Sequence, residues 1–202
     1  MVGLGTPVGI ARVHVRGTRK AKAAVVLGHG AGGGIEAPDL VAATEAALEA
    51  GFRVVLVEQP YRVAGRRSPP RPPQLDAAWI AVVEHLCANE LARLPLVVGG
   101  RSLGARVACR TARATGAVAV LCLAFPLLPP RRAGKPAESR VAELDAVTVP
   151  TLVVQGRSDP FGIPPSAASR RVVTVAGDHG LKSDLAAVRD AVRGWLPGVL
   201  AD

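Results

Sequence analysis

Residues 96–104 read LVVGGRSLG and join a short apolar run to a segment of helical period. In such a strand–turn–helix, a serine on a sharp turn exposes its hydroxyl above the end of a sheet. The strand and the helix then lie so close that the residues two before and two after the serine must be small. Here they are Gly100 and Gly104. Ser102 is therefore the candidate nucleophile, and the amide of Leu103, which opens the helix, is a candidate anion donor. The alternative is a glycine-rich turn whose serine only caps a helix.

A serine at neutral pH is a weak nucleophile, and it needs a base that is oriented by a third group. Of the four histidines, only His179 follows Ser102 in the chain, and it lies between the last predicted strand and the last predicted helix. Asp159 is the first carboxylate after the preceding predicted strand. Asp178 is the rival acid, but neighbouring residues usually point their side chains apart. Ser102, Asp159 and His179 are the predicted catalytic residues.

Residues 28–34 read GHGAGGG and directly follow an apolar strand, which allows two interpretations. The first is a dinucleotide-binding turn, because the segment matches G-x-G-x-x-G and Glu58 ends the next strand.

The second interpretation is a loop that supplies a backbone N–H to an oxyanion hole. Ala31 or Gly32 would then be the donor that accompanies Leu103, and one such donor is typically worth about 10²–10³ in rate. This interpretation is favoured, because His29 would crowd a pyrophosphate and because a cofactor site would leave the serine, aspartate and histidine pattern as a coincidence.

Short runs of Val, Leu and Ile alternate with segments of helical period along the whole chain. The predicted strands are 9–15, 23–27, 53–57, 96–98, 118–123, 151–155 and 171–175. The predicted helices are 38–50, 75–91, 103–115 and 184–195, the last with Ser183 as its N-cap. This alternation predicts an α/β fold: a mostly parallel sheet of about six to eight strands, with helices on both faces and no separate lid domain. Two Pro- and Arg-rich connections, 61–74 and 126–140, are predicted to be irregular.

Length and composition exclude several classes of protein. The 202 residues, 49% of them hydrophobic, fit one domain over residues 1–202. The longest apolar run, 117–128, is far shorter than the roughly 20 residues of a membrane-spanning helix. Residues 1–10 lack the pattern of a secretory signal. The three cysteines lie in apolar contexts and have no metal-ligand spacing, which favours reduced thiols in a cytoplasmic protein without a metal site.

The net charge of +9 comes mostly from scattered arginines. With only three Phe, two Trp and one Tyr, and no basic stripe interleaved with them, the chain is not expected to bind nucleic acid. One local group comprises Arg62, Arg66, Arg67 and Arg71. It is either a solvated surface or a means of attracting an anionic substrate.

Five segments together carry a family resemblance: GHGAGGG at 28–34, EQPYRVAGRR at 58–67, GGRSLGARVA at 99–108, QGRSDPFG at 155–162 and GDHGLK at 177–182. The chain resembles the α/β-hydrolase superfamily in its dienelactone-hydrolase-like branch. Within that branch it is similar to small hydrolases related to testis-expressed and NSL-complex-regulator-like proteins.

The resemblance implies a cap-less fold and a serine hydrolase of the carboxylesterase type, whose triad residues follow the family's chain order of serine, aspartate and histidine. It further implies that Tyr61 and Arg62 line the mouth of the site, and His29 is predicted to contact the substrate with them. The expected partner is a small-molecule acyl substrate, with no cofactor, metal, nucleic acid or membrane. Dienelactone hydrolases use cysteine where this chain has Ser102, so lactone chemistry is not carried over. Some larger relatives act as complex subunits, which leaves a non-catalytic scaffold as the alternative.

Overall fold

The computed structural model describes residues 1–130 and 138–200. Its strands, in chain order, are β1 (Val2–Thr6), β2 (Gly9–Arg16), β3 (Ala23–Gly28), β4 (Phe52–Glu58), β5 (Leu96–Arg101), β6 (Ala119–Leu123), β7 (Thr151–Gly156) and β8 (Arg170–Val175). Its α-helices are α1 (Pro38–Glu49), α2 (Pro60–Val63), α3 (Pro72–Ala88), α4 (Leu103–Thr111), α5 (Val141–Asp145) and α6 (Leu185–Trp195), and a 3₁₀ turn follows at Leu196–Leu200.

The eight strands form one sheet in the order β1-β2-β4-β3-β5-β6-β7-β8. β1 pairs with β2, and β2 with β4, in antiparallel fashion. All the other pairs are parallel. The predicted fold class, a mostly parallel sheet of six to eight strands in an α/β-hydrolase arrangement, is confirmed. The carboxyl ends of the parallel strands therefore meet at one edge, where ligands bind in open α/β sheets.

Side chains of the central strands alternate between two buried cores, because successive residues of a strand point to opposite faces of the sheet. In β3, Val25 and Leu27 pack on the face that α1 and α6 cover, whereas Ala24 and Val26 pack on the face of α3, α4 and α5. A fully buried Val or Leu side chain stabilises the fold by about 1.5–3 kcal/mol. Burial on both faces explains why these strands read as continuous apolar runs.

Several element boundaries differ from the prediction: α3 ends at Ala88 and not at residue 91, and α4 ends at Thr111 and not at residue 115. Two other differences have a clear reason in local chemistry. α3 begins at Pro72, three residues earlier than predicted, because proline is tolerated in the first turn of a helix, where its missing N–H has no partner. The N-cap of α6 is Asp184 and not Ser183, since the Asp184 carboxylate accepts a hydrogen bond from the Ala187 amide at 3.0 Å.

Four further elements of the described chain were not predicted: β1, α2, the short α5 and the 3₁₀ turn at Leu196–Leu200. β1 contains Gly3 and Gly5 and has only one buried residue, Leu4, so it lacks an apolar pattern and depends on pairing with β2. α2 is a single turn at the start of the first connection, which was predicted to be irregular. Part of the second irregular connection, residues 131–137, lies outside the described residues. No helix in the described part of the chain combines the length and the apolar character needed to cross a membrane.

Candidate active site

Ser102 occupies a tight turn between β5 and α4, with φ 52° and ψ −106°. This is a backbone conformation that non-glycine residues rarely adopt, and it is typical of strained functional positions. The turn is held by the Ser102 amide, which donates to the Leu123 carbonyl oxygen at 2.9 Å. The serine hydroxyl is thereby carried to the carboxyl edge of the sheet.

The two glycines around Ser102 allow main chain to contact main chain. A Cβ atom on Gly104 would lie 2.3 Å from the carbonyl oxygen of Gly28, and one on Gly100 would lie 2.4 Å from the same oxygen. Both distances are well inside van der Waals contact, and the nearest atoms belong to the backbone, which cannot move aside cheaply. Small residues at positions 100 and 104 are therefore a steric requirement of this turn.

The structure brings Ser102, His179 and Asp159 together in one hydrogen-bonded row. The Nε2 atom of His179 lies 2.9 Å from the Ser102 Oγ, and its Nδ1 atom lies 2.8 Å from Asp159 Oδ2. Because a carboxylate only accepts, His179 donates from Nδ1 and can accept the serine proton at Nε2. The histidine comes from the loop after β8 and the aspartate from the turn after β7. This is the hydrogen-bonded geometry of a nucleophile, a base and an orienting acid.

Asp159 is held from several sides, with a carboxylate that is fully buried. Its Oδ2 atom also accepts from the Gln155 Nε2 at 2.7 Å, and its Oδ1 accepts from the Phe161 amide at 2.8 Å. The ring of Phe161 meets the His179 ring edge to face, with centroids 4.6 Å apart. Sequence reasoning missed Gln155 and Phe161. Their contacts depend on the path of the turn after β7, and no local pattern marks it.

Two backbone N–H groups flank the serine as candidate oxyanion donors. The amide of Leu103 opens α4, whose N-terminus carries a partial positive charge. The amide of Ala31 lies in the loop after β3. Within residues 1–130 and 138–200, neither amide donates to an acceptor of the chain. Gly32, the other predicted donor, is exposed further along the same loop.

The predicted substrate contact through His29 is not what the structure shows. His29 is only 2% exposed, and both of its ring nitrogens are engaged inside the protein. Nε2 accepts from the Gln59 amide at 3.0 Å, and Nδ1 donates to the Gly30 carbonyl oxygen at 2.8 Å. Burial lowers the pKa of His29, which keeps the ring neutral, as this pair of hydrogen bonds requires. His29 therefore supports the loop from beneath.

Tyr61 is also buried, and its hydroxyl donates to the carbonyl oxygen of Ala31 at 2.9 Å. Burial raises the pKa of Tyr61 to about 12, so the phenol keeps its proton and remains a donor. Arg62, in α2, is half-buried and lies close enough to lower the pKa of both Tyr61 and His29. Tyr61 thus fixes the loop beside Ser102, and a substrate contact by Arg62 stays a prediction.

A cavity of about 460 Å³ lies on the far side of Tyr61, between α2 and the β1–β2 hairpin. Its walls are formed by residues of these elements and by the loop that leads to α3: Val8, Gly9, Ile10, Gln59, Pro60, Tyr61, Val63, Ala64, Arg66, Pro70 and Gln74. Ser102 is not among the residues that line this cavity.

The dinucleotide interpretation of the glycine loop loses its structural basis. A dinucleotide turn presents the pyrophosphate to the N-terminus of a helix that starts within the glycines. Here α1 begins at Pro38, five residues after Gly33. Glu58 is paired with His14 at 2.6 Å and with Arg12 at 3.6 Å. The loop instead passes over Ser102, because a Cβ atom on Gly30 would lie 3.7 Å from the Ser102 Cβ.

Comparison with known proteins identifies the class. A family described as an alpha/beta hydrolase domain matches residues 21–186. The chain therefore belongs to the α/β-hydrolase family. No curated protein sequence matches it.

Solved structures share the fold over nearly the whole chain. A serine hydrolase without a lid from Xanthomonas campestris is 20% identical, with a TM-score of 0.76 over 100% of this chain and 95% of that one. Est1E from Butyrivibrio proteoclasticus, with ferulic acid bound, is 18% identical, with a TM-score of 0.76 over 100% of both chains. A dienelactone hydrolase from Anabaena variabilis is 18% identical, with a TM-score of 0.75 over 98% and 95%. The resemblance to the dienelactone-hydrolase-like branch is thus supported in fold; the narrower likeness to testis-expressed and NSL-complex-regulator-like proteins stays a prediction.

Proposed function

We propose that this protein is a serine hydrolase of the carboxylesterase type, which cleaves ester or related acyl bonds through an acyl-enzyme. One observation carries the proposal: the His179 ring bridges the Ser102 hydroxyl, at 2.9 Å, and the buried Asp159 carboxylate, at 2.8 Å. A serine without such a base is a weak nucleophile, and a structural serine has no need of one.

In the first step, the Ser102 oxygen attacks the acyl carbon while its proton moves to Nε2 of His179. Asp159 holds the ring in the required tautomer and stabilises the imidazolium that forms. The bond to the leaving group then breaks, and the imidazolium returns the proton to the departing oxygen. This step produces the acyl-enzyme and the first product.

The oxygen of the tetrahedral intermediate is assigned to the amides of Leu103 and Ala31. Both N–H groups are free of acceptors within the described residues, and Leu103 adds the partial charge of a helix N-terminus. In the second step, His179 takes a proton from a water molecule as the water oxygen attacks the acyl carbon. The bond from that carbon to the Ser102 oxygen then breaks, His179 returns the proton to the serine, and the acid is released. None of these steps uses a metal or an organic cofactor.

The neighbours in fold suggest which acyl substrates to test first. Two neighbours in fold fit this chemistry in name, the serine hydrolase from Xanthomonas and the dienelactone hydrolase from Anabaena. Est1E holds an aromatic acid, ferulic acid. A short-chain aryl ester is therefore a suitable first substrate.

The test combines a fluorophosphonate probe with an aryl-ester assay on three proteins: the wild type, Ser102→Ala and Ser68→Ala. Ser68 is an exposed serine of the loop before α3 and is the matched control. The wild type and Ser68→Ala are expected to be labelled and to turn over the ester. Ser102→Ala should lose labelling and roughly 10⁶-fold in kcat, as when a triad nucleophile is removed elsewhere.

Two outcomes would contradict the proposal. Labelling that persists in Ser102→Ala would put the nucleophile at another residue. A folded wild type that neither reacts with the probe nor hydrolyses any of a panel of aryl esters would favour the non-catalytic scaffold instead.

A further inference from the structure

Arg101, the residue directly before Ser102, connects three separate parts of the candidate site. Its Nη2 donates to the main-chain carbonyl oxygen of His179 at 3.0 Å. Its Nε lies 2.9 Å from Oδ2 of Asp39, near the start of α1. Its Nη1 lies against the loop after β3, since a Cβ atom on Gly30 would come within 2.7 Å of it. One guanidinium group thus touches the loop after β8 that carries His179 (residues 177–181, the histidine loop), the loop after β3 (residues 29–34, the oxyanion loop) and α1.

The carboxylate of Asp39, the ion-pair partner of Arg101, is buried, and burying a charge costs free energy. The Asp39 side chain is fully buried, and that of Arg101 is 18% exposed. Burial raises the pKa of Asp39, and the nearby Arg101 cation opposes that rise. A buried carboxylate is tolerated only when it is paired and hydrogen-bonded, and Asp39 also accepts from the Leu40 amide at 3.0 Å. The carboxylate therefore holds the guanidinium close by as an ion pair, through an oxygen that accepts no hydrogen bond from the described residues.

We propose that Arg101 is a positioning residue for the reaction of Ser102: it ties the histidine loop and the oxyanion loop to the nucleophile turn, with Asp39 as its anchor. This inference rests on the proposed function. The planar guanidinium suits the role, because its five N–H donors have a fixed geometry and serve several acceptors at once. Arg101 binds the main chain of His179 and not its ring. It therefore fixes the backbone position from which the His179 side chain extends, and it leaves the ring itself free to exchange protons.

The chain offers a matched control in Arg110. Its side chain is also 18% exposed, and it pairs with Asp76 at 2.6 Å and with Glu143 at 3.4 Å. Arg110 lies on α4, two turns beyond Ser102, and its recorded polar contacts reach neither the histidine loop nor the oxyanion loop. Removing either arginine costs a partly buried ion pair, but only Arg101 contacts the site.

The experiment compares Arg101→Met, Arg101→Lys and Arg110→Met in aryl-ester kinetics, in the rate of labelling by fluorophosphonate and in urea unfolding. Arg101→Met is expected to lose about 10²-fold in kcat, the usual effect of a misplacement of about 1 Å, with KM little changed. Arg101→Lys keeps the positive charge but lacks the planar guanidinium with its several N–H donors. It should therefore recover only part of the kcat that Arg101→Met loses. Arg110→Met should lose stability while keeping kcat.

A second measurement does not depend on turnover. Amide hydrogen exchange of residues 177–181 and 29–34 should speed up in Arg101→Met and stay unchanged in Arg110→Met. Unchanged exchange in both variants would overturn the inference even if the protein is an active hydrolase. Equal kcat in Arg101→Met and Arg110→Met would do the same. An inert wild type with the expected exchange pattern would instead overturn the proposed function and leave the tether established as structural only.

Two further variants keep the test decisive if Arg101→Met folds poorly. Adding Asp39→Asn removes the buried charge that Arg101→Met leaves unpaired, so the double variant should fold and still lose about 10²-fold in kcat. Gly30→Ala displaces the end of the flexible Arg101 side chain and not the backbone, so folding should be retained. It should lower kcat in the wild type and have no further effect when Arg101 is already Met, because the two changes act on the same contact.

Discussion

The amide nitrogen of Gln155 lies within hydrogen-bonding distance of three oxygen atoms, which its two N–H groups share, and replacing that nitrogen by oxygen tests the surroundings of the candidate acid. In the wild type, Nε2 lies 2.7 Å from Asp159 Oδ2, 3.0 Å from the Gly162 carbonyl oxygen and 3.2 Å from that of Phe125. All three partners only accept. The variant Gln155→Glu therefore puts a new carboxyl group, at nearly unchanged volume, against three oxygen atoms and inside the core.

The magnitudes decide which protonation state the variant adopts. Two carboxylates at the present separation of 2.7 Å would repel by about 6 kcal/mol at an effective dielectric constant of about 20. Keeping one proton on the pair costs about 1.4 kcal/mol for each pH unit above the ordinary glutamate pKa of about 4.3, or about 4 kcal/mol at pH 7.5. The smaller cost wins, so the two carboxyl groups share one proton in the folded state.

The folded variant then binds one more proton than the unfolded chain, and its free energy of unfolding falls as the pH rises. Between about pH 5 and pH 7.5, Gln155→Glu should lose about 3 kcal/mol relative to the wild type. Urea unfolding at both values measures this loss. The control Gln74→Glu, at an exposed position on α3, should show almost no such difference. If Gln155→Glu differs from the wild type by the same amount at both pH values, the described contacts of Gln155 are wrong.

The other predictions concern the packing around Gly104 and the surroundings of Tyr61. Gly104→Ala should destabilise the protein by more than about 3 kcal/mol, or prevent folding, because its Cβ would come 2.3 Å from the Gly28 oxygen. Gly32→Ala, with open space around the new atom, should change the urea midpoint little. The only tyrosine of the chain is Tyr61, so absorbance at the phenolate band should report a midpoint near 12 in the folded protein and near 10 in urea; a folded midpoint near 10 would contradict its burial. Since that pKa is raised by folding, stability should fall as the pH rises above about 10. Tyr61→Phe removes the 2.9 Å hydrogen bond to the Ala31 carbonyl oxygen. It should lower the free energy of unfolding by about 1 kcal/mol. It should also reduce kcat while changing KM little.

The fold could be predicted from the sequence wherever a segment is buried on both faces. The strands around 23–27 and 151–155 read as continuous apolar runs, because helices cover both sides of them. β1 could not be predicted in this way, since a glycine-rich edge strand with one buried residue has no such pattern. The start of α3 was misplaced because two prolines look like a break and are in fact its first turn.

Some residues of the candidate site could likewise be predicted from the sequence, and others could not. Ser102, Asp159 and His179 each follow a strand directly, so the topology alone brings them to one edge, and in the structure their side chains are hydrogen-bonded. Arg101 and Gln155 belong to the same edge, but their contacts cross between strands that are far apart in sequence. Those contacts depend on the three-dimensional path of the loops, which periodicity and spacing do not encode. His29 was misassigned for a related reason: a histidine beside a glycine loop has the same local sequence whether it faces a ligand or the core.

The contact of Gly28 with Gly100 and Gly104 has a consequence for how the protein tolerates change. Atoms of the peptide units themselves set the separation between the end of β3 and the nucleophile turn, with no side chain in between. A side chain added at Gly100 or Gly104 would therefore force these two main-chain segments apart. Random mutagenesis should therefore find positions 100 and 104 intolerant even of alanine, whereas a core position can accept another apolar side chain of similar volume.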